Sequence, residues 1–133
     1  MKTIKIEVPA LTENVRIVES FIDNSKTKFN LDDDVYGNIM IAVTEAVKNA
    51  IQHGSKEDPN KNVSITLELE ESIIKFIIED SGVGFDYNNI PDPTEPENIE
   101  SPGGRGIFIM NHLSDEVEFK EKGRVVELSF YMN

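Results

Sequence analysis

The sequence has no cysteine and only two histidines, His53 and His112, among its 133 residues. The absence of cysteine excludes a disulfide framework and a thiolate metal site, and a histidine-rich metal site is not expected. No apolar run approaches about 18 residues, and the first residues, MKTIKIEVPALTENV, lack the apolar stretch of a signal peptide. We therefore expect a cytoplasmic protein with no membrane partner.

Basic residues are also scarce. The chain has 13 lysines and arginines against 25 aspartates and glutamates, so its formal net charge is −12. Direct binding to nucleic acid is disfavoured, because neutralising phosphates requires grouped Lys and Arg, and no such group is present. An acidic surface suits a basic protein partner, although solubility alone also accounts for it. A bound nucleotide would need backbone N–H groups, a metal ion and very few cations around its phosphates.

The pattern of apolar residues predicts one α+β domain over residues 1–133, a length that is common for single domains. Strands are predicted over residues 2–8, 63–69 and 73–79, followed by a final pair, EVEFKE and RVVELSFYM, that turns at Gly123. Helices are predicted from Thr12, a candidate N-cap, from Asp32 to Gly54, and over residues 105–112. This order is typical of a two-layer α/β sandwich with a mostly antiparallel sheet.

The sequence predicts no helix or strand over residues 80–104, which are rich in proline, glycine and carboxylates. An irregular stretch of this length in a small domain is often a lid or a binding loop. A disordered surface insertion is the alternative.

Glu45 and Asn49 are four residues apart on the second helix and therefore lie on one face of it, with Asn38 and Gln52 in the same arc. This arc is either the solvated side of an amphipathic helix or part of a site. The strong apolarity of the rest of the helix favours burial, and a buried carboxylate needs a partner or a function.

Two glycine-containing segments are the other candidate binding elements. Asp80 directly follows an apolar strand and can accept a hydrogen bond from an exocyclic amine, and Gly82 and Gly84 allow a close approach of the backbone to a ligand. Residues 103–106, GGRG, precede a helix, where free N–H groups, the helix dipole and Arg105 can bind a phosphate. A simple turn and a flexible hinge are the respective alternatives. The Walker pattern and a GxGxxG motif that opens a βαβ unit are absent.

In their order along the chain, three segments resemble the N, G1 and G2 boxes of the GHKL ATP-binding superfamily. They are VTEAVKNAIQHG, EDSGVGFD and, after the irregular stretch, GGRGIFIM. The resemblance covers nearly the whole chain and is closest to the small bacterial anti-sigma factor serine/threonine-protein kinases. It implies the Bergerat fold, in which about three helices cover one face of the sheet and ATP lies between a helix and a lid, here at about residues 86–104.

The resemblance also implies roles for individual residues. Asn49 would coordinate Mg²⁺ at the ATP phosphates, and Glu45 would be the general base. Asp80 would contact adenine N6, with Gly82 and Gly84 beside it, and Gly104, Arg105 and Gly106 would hold the β- and γ-phosphates. Two departures are the long acidic lid and Arg124, which follows Gly123 where relatives often carry a small hydroxyl residue.

The function that this resemblance implies is an ATP-dependent serine protein kinase and anti-sigma factor. It would bind a sigma factor, phosphorylate a STAS-domain anti-anti-sigma protein on serine and act as a homodimer. The N-terminal strand and the first helix, including Arg16, would form the partner surface. The alternatives are a non-catalytic ATP- or ADP-dependent sequestration module and a stand-alone histidine-kinase-type catalytic domain.

Overall fold

Five strands form one sheet in which all neighbouring strands run antiparallel. The computed structural model describes residues 1–82 and 104–132. The strands are β1 (Lys2–Pro9), β2 (Asn62–Glu70), β3 (Ile73–Glu79), β4 (Glu116–Lys120) and β5 (Val125–Tyr131), in the spatial order β1-β2-β3-β5-β4. The predicted strands and the mostly antiparallel sheet are therefore confirmed.

The two faces of the sheet differ in chemistry, because successive side chains of a strand point to opposite faces. On one face Ile65 lies opposite Ile78 in the β2–β3 register, and both are fully buried. On the other face Glu127 forms ion pairs with Lys75 at 3.3 Å and with Lys120 at 2.7 Å. The helices pack against the apolar face, so the described part of the chain forms a two-layer α/β sandwich.

Three α-helices occur in the described residues: α1 (Val15–Lys28), α2 (Asp33–Asn49) and α3 (Gly104–Leu113). The middle helix, α2, contacts α1, α3, β3 and β5, so it is the centre of the helical layer. Its first turn is capped by Asp32, whose carboxylate accepts a hydrogen bond from the Val35 N–H at 2.9 Å. This cap satisfies one of the N–H groups that a helix start leaves unpaired. The predicted start of the helix is confirmed.

The end of α2 differs from the prediction. Instead of continuing as a regular α-helix to Gly54, the chain widens after Asn49 into a π-helical turn, Ala50–Gly54. The Ser55 N–H donates to the Ala50 carbonyl at 2.8 Å, five residues back. Such wide turns are rare and are found often at functional sites. Here the turn follows Asn49 directly and brings Gly54 to the end of β3.

The start of the first helix also differs from the prediction. Thr12 begins a short 3₁₀ turn, Thr12–Asn14, and makes no capping hydrogen bond. Its hydroxyl instead donates to the carboxylate of Glu57, so it joins the start of α1 to the loop after α2. The prediction of Thr12 as an N-cap was therefore wrong, because Thr12 is the first residue of a turn whose N-cap position is Leu11.

The predicted lid falls almost entirely outside the described residues, since only Gly104 belongs to both. The lid therefore stays a prediction, as does the assignment of all 133 residues to one domain. No helix among the described residues is long and apolar enough to cross a membrane.

Candidate nucleotide-binding site

Glu45, Asn49 and Gly106 meet where α3 begins against the last turns of α2. A Cβ atom built on Gly106 would lie 2.9 Å from Nδ2 and 3.3 Å from Oδ1 of Asn49, and 3.3 Å from Oε2 of Glu45. Only a residue without a side chain lets the backbone of α3 approach these two groups so closely. The structure therefore brings together one carboxylate, one carboxamide and the N-terminal turn of a helix.

The carboxamide of Asn49 is incompletely paired. Its Nδ2 atom is buried and has no hydrogen-bond partner among the residues that the structure describes. A buried polar atom without a partner costs free energy, and such groups are often completed by a ligand, an ion or water. The amide oxygen is an acceptable ligand for Mg²⁺, which usually takes one or two protein oxygens and completes its shell with phosphate and water.

The described residues offer a metal ion few protein ligands. Within residues 1–82 and 104–132, no group of three or more acidic or histidine side chains could hold a metal ion. The residues present therefore fit a Mg²⁺ ion that is carried mainly by nucleotide phosphates, and they do not form a metal site independent of a nucleotide.

Glu45 lies one turn before Asn49 on α2. Its side chain is 26% exposed and forms an ion pair with Lys48, Oε1 to Nζ, at 3.7 Å. Lys48 was not predicted as a site residue, although its position three residues after Glu45 makes the contact geometrically ordinary for a helix. The pair places one cation beside the carboxylate, near the start of α3.

Asp80 follows β3 and is buried, with 4% of its surface exposed. Its Oδ1 accepts a hydrogen bond from the Gly82 N–H at 2.7 Å, and its own N–H donates to the Arg124 carbonyl at 2.9 Å. Burial raises the pKa of the Asp80 carboxyl group, whereas the Gly82 N–H and the Arg124 charge act in the opposite direction. These contacts fix the orientation of the carboxylate at the pocket.

Gly54 and Gly82 are required beside Asp80 for steric reasons. A Cβ atom on Gly54 would clash with the Asp80 carboxyl group, and a Cβ atom on Gly82 would clash with the Gly54 carbonyl. Gly54 had been predicted only as a helix terminator, so its contact with Asp80 is a feature that the sequence did not reveal. Contacts of Gly54 with Asp80 and Gly82 therefore join the π-helical turn to the end of β3.

A narrow pocket connects Asn49 to Asp80. Its walls come from the end of α2, from α3 and from the apolar face of the sheet; the lining residues are Ala46, Asn49, Ala50, Ile78, Asp80, Met110, Phe119, Gly123, Arg124 and Val126. The volume is about 20 Å³, which is room for about one water molecule. A flat apolar ring with a polar edge suits this lining, but it can enter only if a wall moves. Met110 is the most adaptable of these side chains.

The N-terminus of α3 contains the remaining predicted phosphate ligands. The helix begins at Gly104 and is ten residues long, and Arg105 in its first turn is exposed. The first N–H groups of a helix have no partners within the helix and carry the positive end of its dipole, which suits an anion. Gly84 and Gly103 lie outside the described residues, so their predicted roles stay predictions.

Three other polar residues, Asn38, Gln52 and His112, lie outside the pocket. Asn38 and Gln52 are exposed and do not line the pocket, so this part of the arc is the solvated face of α2. His112 is exposed and stacks on Phe108 with ring centroids 4.5 Å apart.

Comparison with known proteins shows the family of this chain. Residues 8–130 match the family model of the histidine kinase-like ATPase domain. The chain belongs to this family. Among curated proteins it is 32% identical over 137 residues to the serine-protein kinase RsbW of Bacillus subtilis, covering 98% of this chain and 86% of that protein. It is 34% identical over 137 residues to serine-protein kinase RsbW of Staphylococcus aureus, covering 97% and 86% respectively.

A solved structure with a similar fold supports the architecture of this histidine kinase-like ATPase domain. The chain aligns with the crystal structure of the RsbU and RsbW domains of Rv1364c from Mycobacterium tuberculosis with a TM-score of 0.68. The alignment covers 98% of this chain but 32% of that longer protein, at 14% identity. At this identity the likeness concerns the fold alone, and it confirms the α+β sandwich.

Proposed function

We propose that this chain is an ATP-dependent serine-protein kinase and anti-sigma factor. The observation that carries the proposal is the close approach of Gly106 to Glu45 and Asn49, which brings a carboxylate, a carboxamide and the start of a helix together. The identity of 32–34% to RsbW serine-protein kinases over nearly the full chain supports the same reaction class.

In this proposal the nucleotide lies along the pocket from Asp80 to the start of α3. Asp80 accepts a hydrogen bond from adenine N6, while Ala50, Ile78 and Met110 contact the ring. Asn49 would hold a Mg²⁺ ion at the phosphates through its amide oxygen. When bound, that ion would neutralise charge on the phosphates and orient them.

The β- and γ-phosphates then face the first turn of α3. The N–H groups after Gly104 and Gly106 donate to phosphate oxygens, and the exposed Arg105 side chain folds onto them with a charge-assisted contact. Gly84, which lies outside the described residues, stays a predicted member of the adenine-binding part of the site. Phosphoryl transfer depends mainly on positioning and charge neutralisation, which is what these groups supply.

Glu45 is the proposed general base. Its carboxylate lies next to Gly106, so it is on the side of the site where the γ-phosphate would be. It would accept the proton of a serine hydroxyl as the serine oxygen bonds to the γ-phosphorus and the bond from that phosphorus to ADP breaks. Lys48, at 3.7 Å, would keep the carboxylate oriented, and ADP would be the leaving group.

The partners proposed for this chain are a sigma factor, a STAS-domain protein as the serine substrate and a second copy of the chain. Two features of the N-terminal region support an interaction surface there. β1 is an edge strand of the sheet, and α1 exposes Arg16 together with half of the surface of Ile17. An edge strand and an exposed apolar side chain are each suited to protein contacts. A cytoplasmic location stays a prediction of the sequence.

The test is transfer of γ-labelled phosphate from Mg-ATP to a STAS-domain protein encoded near the gene of this chain. We expect labelling of a serine by the wild type and its loss with Glu45→Gln. The matched control is Glu118→Gln, which removes an exposed carboxylate on the opposite face of the sheet. ATP binding without labelling by the wild type would contradict the kinase proposal and favour a non-catalytic sequestration module.

A further inference from the structure

Arg124 is held at the end of the candidate pocket by an unusual turn. The three preceding residues, Glu121, Lys122 and Gly123, all have positive φ, at 51°, 57° and 87°. This conformation is costly for Glu and Lys, and strained backbone of this kind is concentrated at functional sites. The Arg124 N–H donates to the Glu121 carbonyl at 3.1 Å, and the Arg124 carbonyl accepts from the Asp80 N–H at 2.9 Å. The backbone of Arg124 is therefore fixed against Asp80.

The side chain of Arg124 lines the same pocket as Asp80. It is 38% exposed and forms a long ion pair with the exposed carboxylate of Glu121, NH2 to Oε2, at 3.8 Å. An exposed pair of this length contributes little free energy and engages few of the five donors of a guanidinium. Its positive charge acts on the Asp80 carboxylate, which is further evidence that the two groups are close.

The lining of the pocket separates apolar walls from a polar end. Ala50 and Met110 lie on the helical side, Ile78 and Val126 lie on the sheet, and Asp80 and Arg124 stand where the strands end. A planar base would place its faces against the apolar walls and its edge towards the carboxylate and the guanidinium. The adenine edge carries the N6 amine, a donor, between the ring nitrogens N1 and N7, which are acceptors.

We propose that the Arg124 guanidinium donates a hydrogen bond to N1 or N7 of the same adenine whose N6 amine donates to Asp80. The two side chains then recognise a donor and an adjacent acceptor as one pattern. This inference rests on the proposed function, because it assigns a further base-binding residue to the same nucleotide site.

The test is a double-mutant cycle between the protein and the ligand, measured by calorimetry with the full chain and Mg²⁺. The ligands are ATP, 1-deaza-ATP and 7-deaza-ATP, which lack N1 and N7 respectively. The variants are Arg124→Met and, as a matched control in the same turn, Lys122→Met, whose exposed side chain does not line the pocket. Arg124→Ala, which also removes the guanidinium, serves the same cycle if Arg124→Met does not fold.

We expect Arg124→Met to bind ATP about tenfold more weakly than the wild type, as for loss of a charged hydrogen bond. Lys122→Met should bind like the wild type. One deaza analogue should bind the wild type about tenfold more weakly than ATP does, but should lose nothing further with Arg124→Met, because the same contact is then already absent.

Two results would overturn the proposal. Unchanged ATP affinity of Arg124→Met would show that the guanidinium makes no contact with the nucleotide. If the affinity loss caused by Arg124→Met simply adds to the affinity loss caused by each deaza analogue, Arg124 acts on the pocket without contacting a ring nitrogen. If the wild type itself binds no Mg-ATP, the proposed function fails instead, so the two failures are distinguishable.

Discussion

Replacing Gly106 by alanine tests whether the contact between α3 and α2 forms the phosphate end of the site. The new Cβ atom would stand 2.9 Å from Asn49 Nδ2 and 3.3 Å from Glu45 Oε2. Both neighbours are ends of flexible side chains, so the protein can relieve the overlap by moving them. We therefore expect Gly106→Ala to fold, with both functional groups displaced.

The expected change in stability is small because two effects oppose each other. Alanine is favoured over glycine within a helix by up to about 1 kcal/mol, and overpacking costs about 1–3 kcal/mol. The free energy of unfolding should therefore fall by about 0–2 kcal/mol. ATP affinity should fall more, by about tenfold to 100-fold, because a displaced Asn49 can no longer orient the metal ion at the phosphates.

The assay pairs chemical unfolding with calorimetric titration of Mg-ATP. Gly37→Ala is the matched control, since Gly37 lies within α2 and its added Cβ would meet no atom within 4 Å. This control should gain about 0.5–1 kcal/mol in stability and keep the ATP affinity of the wild type. Wild-type ATP affinity in Gly106→Ala would refute the reasoning, because it would show that the contact is not part of the nucleotide site.

Three further predictions concern Asp80 and the cap of α2. Calorimetry should show that Asp80→Asn binds ATP at least about tenfold more weakly than the wild type. Its stability at pH 7 should equal or exceed that of the wild type, because a buried charge is removed and the acceptor for the Gly82 N–H remains. A clear loss of stability would contradict this prediction. The stability of the wild type relative to Asp80→Asn should decrease as pH rises from 3.8, the ordinary pKa of an aspartate, through the raised pKa of Asp80. A stability difference that stays flat across that range in urea unfolding would refute the assignment. Asp32→Ala should lower the free energy of unfolding by about 1 kcal/mol with ATP affinity unchanged, since the cap is remote from the pocket, and unaltered stability would argue against it.

The sign of the pH effect follows from the raised pKa. Between the two pKa values the folded protein holds a proton on Asp80 that the unfolded chain has released. Stability from this group is therefore present at low pH and is lost as pH rises. Arg124, Glu79 and Lys61 are the charged groups that act on Asp80; Arg124 and Lys61 lower its pKa, and Glu79 raises it.

The elements of the fold could be predicted because each produces a local signal. Alternating residues mark the strands, and the apolar spacing and the Asp32 cap mark α2. The placement of Glu45 and Asn49 on one helical face follows from their spacing of four residues. These predictions depend only on neighbours in the chain, so the sequence contains all that they require.

The contacts that form the site could not be predicted in this way. Gly54 reads as a helix terminator, and its contact with Asp80 depends on how α2 packs against the end of β3. The π-helical turn leaves the same apolar pattern as a regular helix end, so periodicity does not distinguish the two. Met110 and Arg124 enter the pocket only because α3 and β5 flank it in space. Tertiary packing, not local pattern, determines these positions.

Calorimetric titration of Mg-ATP into the wild type, Asn49→Ala and Asn38→Ala tests the central claim most directly. Asn38 is an exposed asparagine on the same helix that does not line the pocket, so its replacement controls for the loss of a carboxamide from α2. The account predicts saturable binding to the wild type and to Asn38→Ala, with affinity reduced about tenfold to 100-fold in Asn49→Ala. Equal affinity of Asn49→Ala and the wild type, or no binding to the wild type, would contradict it.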